Sequence, residues 1–90
     1  MNCNNKSSST CFEYFKSLIL SLKRDISTFN SDHNSLSPDS KYSLFIKSDL
    51  HSRRVSLFND LVLYKPYLGD YYSRLHFYAK KSLLQSYERF

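Results

Sequence analysis

From Phe12 to Phe29 apolar residues recur at Phe12, Phe15, Ile19, Leu22, Ile26 and Phe29, a spacing of three, four, three, four, three. This is the period of an α-helix with one apolar side. At about 100° per residue, Cys11, Phe12, Phe15, Leu18, Ile19, Leu22, Ile26 and Phe29 share that side, and Leu20 alone falls out of place. The repeat lasts fewer than three heptads, too short for a free-standing coiled coil, so the stripe reads as the core helix of a small bundle. Thr10-Cys11-Phe12-Glu13 has the form of a capping box, in which the Thr hydroxyl and the Glu carboxylate satisfy each other's backbone amides. It predicts a helix over about residues 10–29.

A single glycine and two prolines leave few sharp turns, which disfavours a many-stranded fold. After the turn-rich stretch SDHNSLSPDS, the run Ser37-Pro38-Asp39 supplies an N-cap, a proline for the first turn and an early acid. No clear stop follows before Pro66, so the spacing predicts a long helix over about 38–64, bent around the polar segment KSDLHSRR. Its apolar residues fall on two sides, with Tyr42, Phe45, Ile46, Leu50, Leu57, Leu61 and Tyr64 on one and Leu44, Val55, Phe58 and Val62 on the other. Such a helix needs cover on both. Pro66 and Gly69 interrupt the pattern, Asp70 can cap, and a third helix is expected over about 70–89, with Tyr71, Tyr72, Leu75, Ala79, Leu83, Tyr87 and Phe90 along one side. The expectation is an all-α, three-helix domain over residues 10–90, with a polar tail at 1–9 and a loop at 30–37.

A 90-residue chain buries only about 60 per cent of the surface its unfolded form exposes, so its core is thin. The longest uninterrupted apolar run, Leu61-Val62-Leu63-Tyr64, is far too short to span a bilayer. Cys3 and Cys11 could close only a small loop near the N-terminus, which favours a reduced, intracellular setting. The N-terminal region is Ser-rich like a mitochondrial presequence, but Glu13 and Asp25 interrupt it and no arginine precedes Arg24. A nuclear or cytoplasmic location is therefore expected ahead of a mitochondrial one.

Catalytic and metal-binding patterns are missing. His33, His51 and His76 are scattered, none at helical ligand spacing from another His or a Cys, and Cys3 and Cys11 match no common zinc motif. Asp32 beside His33 supplies no nucleophile, and one glycine cannot build a phosphate-binding loop. No cofactor, metal or catalytic activity is expected. The formal charge of +5 lies mostly in the second half, where residues 46–90 carry eight Lys or Arg against four acids. HSRRVSLF and FYAKKSLL interleave basic and aromatic residues, as some nucleic-acid binders do. Arg53-Arg54-Val55-Ser56 has the form of a basic-directed kinase site, and Ser37-Pro38 that of a proline-directed one.

The segment FKSLILSLKRDISTFN loosely resembles the opening of the mitochondrial LYR-type small helical proteins, with Leu22-Lys23-Arg24 where that family has Leu-Tyr-Arg. A long helix between two shorter ones is similar in its lengths to the histone fold, whose members pair and contact DNA. Neither likeness carries a functional residue onto this chain.

Eight Tyr and seven Phe exceed what a small three-helix core can cover, and such residues are enriched at interfaces. The expected function is therefore that of a non-catalytic accessory or adaptor subunit of a larger protein assembly, with a small basic nucleic-acid-binding or histone-like protein as the alternative. The expected partner-binding residues are Phe77 and Leu84, one heptad apart on the far side of the third helix, with Lys80 and Lys81 at their rim, and the out-of-phase Leu20. Ser37 and Ser56 are the candidate phosphate acceptors.

Overall fold

A computed structural model describes residues 8–84. The chain is all-α, with helices α1 (Ser8–Asp32), α2 (Pro38–Ile46), α3 (Asp49–Leu63), α4 (Lys65–Leu68) and α5 (Tyr71–Leu83). Five helices replace the three expected from sequence. The first is already helical at Ser8, which puts the Thr10–Glu13 capping box inside the helix rather than at its start. Leu84 leaves helical geometry at φ −93°, ψ 139°, ending the last helix well before residue 89. Tyr87 and Phe90 lie outside the described residues, as does Cys3.

The long helix expected over 38–64 is two. Ser48 is extended at φ −88°, ψ 163°. Its hydroxyl donates to the Phe45 carbonyl at 2.6 Å and its amide donates to the same oxygen at 3.0 Å, closing the end of α2. Asp49 then opens α3 with a carboxylate in the first turn, where the helix dipole favours it. The break frees Phe45 to turn into the end of the bundle, where it is fully buried with its ring 5.5 Å from Phe29. The length likeness to the histone fold disappears with the long helix.

The second correction lies at Lys65-Pro66-Tyr67-Leu68, expected as a connection and found as a single helical turn. Proline is tolerated in a first turn because its missing N–H has no partner there anyway. The turn carries Leu68 into the core at zero exposure. Gly69 at φ 58°, ψ −129° and Asp70 at φ −66°, ψ −20° have the angles of the central pair of a type II′ turn, whose first position needs a positive φ.

Three helices form the bundle. Phe15 meets Tyr64 at 5.7 Å, and Arg53 bonds Asp25 at 2.9 Å, so α1 and α3 run antiparallel. Phe58 meets His76 at 5.8 Å and the Arg54 guanidinium donates to the Leu83 carbonyl at 3.4 Å, so α3 and α5 are antiparallel as well. α1 and α5 are therefore parallel, starting level where Phe12 and Tyr71 stack at 4.9 Å. Cys11, Phe15, Ile19, Leu22 and Ile26 from α1 interlock with Leu57 and Leu61 from α3 and Leu75, Ala79 and Leu83 from α5. The apolar stripe that opened the sequence is the spine of this core. Leu18, assigned to that stripe, lies at its edge and is partly exposed.

Candidate interaction surface

The side of α1 that faces each neighbour is set by contacts on either flank of Ile19. Asp25 reaches Arg53 of α3, and Phe12 reaches Tyr71 of α5. At about 100° per residue, Leu20 falls on the Phe12 flank, together with Lys16 and Lys23. Lys16 confirms the side directly, since its ammonium lies 5.9 Å from the Phe12 ring centre. On α5 the same reasoning sets Arg74, Tyr78 and Lys81 beside Tyr71 on the α1 flank, with Phe77 on the outer crest. Leu20 and Phe77 are thus carried by adjacent parallel helices on one outer face. Their exposures are 47% and 69%, and Phe77 is the most exposed large apolar residue described.

This face is strongly cationic. α1 from Tyr14 to Arg24 contains Lys16, Lys23 and Arg24 and no acid, and the chain from Tyr71 to Leu84 contains Arg74, Lys80 and Lys81 and no acid. All six cations are exposed. Parallel packing adds Lys16 and Lys23 from the first half of the sequence to Arg74 and Lys81 from the second. Lys80 and Lys81, expected at the rim of Phe77, lie in the last turn of α5. Leu84 is different: it caps the helix in extended geometry and is half-buried, so the helical line from Phe77 stops short of it. Sequence reasoning missed Lys16, Lys23, Arg74 and Tyr78. The acid-free runs 14–24 and 71–84 were visible, but nothing local showed that they adjoin.

The opposite side of α1 forms an open groove of about 360 Å³ with α3, floored by Leu18, Leu22 and Leu57 and edged by Asp49, Arg53 and Asp60. Ser56 is exposed on this groove in the middle of α3. The two arginines that gave it the form of a kinase site are both engaged, Arg53 with Asp25 and Arg54 in the protein interior. Ser37 is the exposed N-cap of α2, accepting from the Ser40 amide at 3.3 Å and donating to the Ser40 hydroxyl at 3.1 Å.

At the end of the bundle, Arg54 is only 5% exposed. It donates to Leu83 O and, at 3.1 Å, to His51 Nδ1; an arginine can only donate, so Nδ1 of His51 is the acceptor. His33 has the other arrangement, with Nδ1 donating to the Phe29 carbonyl at 2.9 Å while its ring stacks on Phe29. His76 packs against Phe58 and Tyr72. Each imidazole is thus tied into local packing, and among the described residues no group of three His, Cys, Asp or Glu side chains is placed to hold a metal ion. No described helix is long and apolar enough to cross a membrane.

No protein family, curated protein or solved structure matches this chain. Its functional reading therefore comes from its own surface.

Proposed function

We propose that this chain is a non-catalytic accessory or adaptor subunit of a larger intracellular protein assembly, nuclear or cytoplasmic, that holds partner subunits through exposed faces of its helices. The observation that carries this reading is Phe77, 69% exposed in the middle of a helix whose opposite side is fully buried. A small bundle gains nothing from a large aromatic side chain in water, whereas burying it against a partner contributes about 1.5–3 kcal/mol before association costs. Leu20 supports the same reading from the adjoining helix. Val55 and Val62, 44% and 59% exposed on α3, add a second apolar face that none of the described helices covers.

Leu20→Ser combined with Phe77→Ser tests the proposal. The expected result is loss of co-purifying protein at high salt, with the thermal midpoint of the isolated chain within a few degrees of the unmodified protein. Unchanged co-purification would reject this face as the contact. The cationic α1–α5 face also favours a second reading, binding to nucleic acid. Nuclease treatment and the Leu20→Ser/Phe77→Ser variant separate the two, since phosphate contacts are lost with the nucleic acid and do not need these apolar groups, whereas a protein contact survives nuclease and does.

A further inference from the structure

Leu20 and Phe77 lie close to one height on the bundle. Leu20 is eight residues beyond Phe12 and Phe77 is six beyond Tyr71, and those two starting rings are in contact. At a rise of about 1.5 Å per residue, the heights differ by about 3 Å. Tyr78, half-buried against the core, follows Phe77 on the flank of α5 that faces α1. Lys16 and Lys23 lie one turn to either side of Leu20, Arg74 and Lys81 one turn to either side of Phe77. An apolar centre is therefore enclosed by four cations. The nearest acids on this face are Glu13, one turn before Lys16 on α1, and Asp70, one turn before Arg74 at the start of α5; both lie outside the ring, on its N-terminal side, and no acid lies between the four cations.

Resting on the partner-binding reading above, we infer that the α1–α5 face is the docking site of an acidic amphipathic helix from a partner protein. Its apolar stripe covers Leu20, Tyr78 and Phe77, and its Asp and Glu side chains meet Lys16, Lys23, Arg74 and Lys81. Two parallel helices side by side present the seam in which a further helix seats, as in a four-helix bundle and in helix-in-groove recognition. Charge selects the occupant. A second copy of this chain on the same face would oppose like charges across an isologous contact, which is repulsive. A nucleic-acid backbone would satisfy the cations but offers nothing to Leu20, an aliphatic group at the centre of the ring of charge. An acidic amphipathic helix satisfies both.

Selection from a displayed library of amphipathic helical peptides, with polar positions randomised, tests this on the full chain at physiological salt. The peptides recovered should be enriched in Asp and Glu beside the apolar stripe. Their affinity should fall at least about tenfold on Leu20→Ser/Phe77→Ser and by a similar factor on Lys23→Glu/Lys81→Glu. A peptide with its acids exchanged for lysines should regain binding to the second variant, a rescue that damaged folding could not produce. Since all four substituted residues are exposed, both variants should keep the helix content of the parent by circular dichroism. Recovery of basic or neutral peptides, or of peptides that bind both variants undiminished, overturns the inference and leaves the broader partner-binding reading standing. Failure to recover any binder likewise overturns the inference, while the broader reading stands or falls on co-purification. Tight binding of a labelled single-stranded oligonucleotide that is lost on Lys23→Glu/Lys81→Glu and indifferent to Leu20→Ser/Phe77→Ser overturns it in favour of nucleic acid.

Discussion

The guanidinium carbon of Arg54 lies 4.8 Å from the centre of the Phe45 ring, so a buried cation on α3 holds the short helix α2 by its one fully buried aromatic. The same side chain bonds the last carbonyl of α5, where the negative end of the helix dipole favours a positive charge. One residue thus joins three helices at one end of the bundle. Arg54→Ala should lower stability by about 2–4 kcal/mol in urea unfolding, through lost stacking and an orphaned carbonyl. Arg54→Lys, which keeps the charge, should recover only part of that loss, because an ammonium cannot stack flat on the ring and reach both bonding partners. Full recovery by lysine would mean that charge alone matters.

Ile19 and Leu20 are neighbours in sequence with opposite fates, the first fully buried and the second 47% exposed. Ile19→Asp drives an unpaired charge into the core at a cost of at least about 3 kcal/mol, a large share of the stability of so small a domain. Its helical circular dichroism at 25 °C should collapse, while Leu20→Asp should leave it largely unchanged. Equal tolerance of both would show that α1 is not docked on its own chain.

Gly69 has φ 58°, and a Cβ added there meets nothing within 4 Å. The cost of Gly69→Ala is therefore backbone strain alone, about 1–2 kcal/mol. Thermal denaturation should show a midpoint lowered by several degrees. A neutral result would mean that the α4–α5 junction can re-form without the type II′ turn.

The ion pair Arg53–Asp25 bridges α3 and α1 at 2.9 Å, with both side chains about two-fifths exposed. Solvent screens such a pair, and a double-mutant cycle should return a coupling below about 1 kcal/mol that shrinks further as salt is added. A coupling above about 2 kcal/mol, unaffected by salt, would show the pair to be effectively buried.

Much of the bundle is legible one residue at a time. The three-four spacing from Phe12 to Phe29 places Phe15, Ile19, Leu22 and Ile26 inward because helix phase is a local property. Leu20 falls outside for the same reason. Ser37-Pro38 marks the start of α2 because capping and a fixed proline φ act within one turn. The break at Ser48 is less legible. Ser48-Asp49 is itself a start signal, but whether a polar segment bends or breaks a helix depends on where the flanking apolar groups must go, and Phe45 and Leu57 are drawn to different parts of the core.

The candidate surface divides in the same way. The sequence by itself determines that Leu20 and Phe77 are out of phase with the buried stripes, and that runs 14–24 and 71–84 carry cations without acids, since both follow from helix period and residue identity. Only the tertiary structure decides that these features meet. Helix period says how far around its axis a side chain lies, but not which neighbour occupies that side or in which direction it runs. Those are settled by contacts such as Phe12 with Tyr71 and Arg53 with Asp25, between residues far apart in the chain, whose packing energy no local spacing encodes.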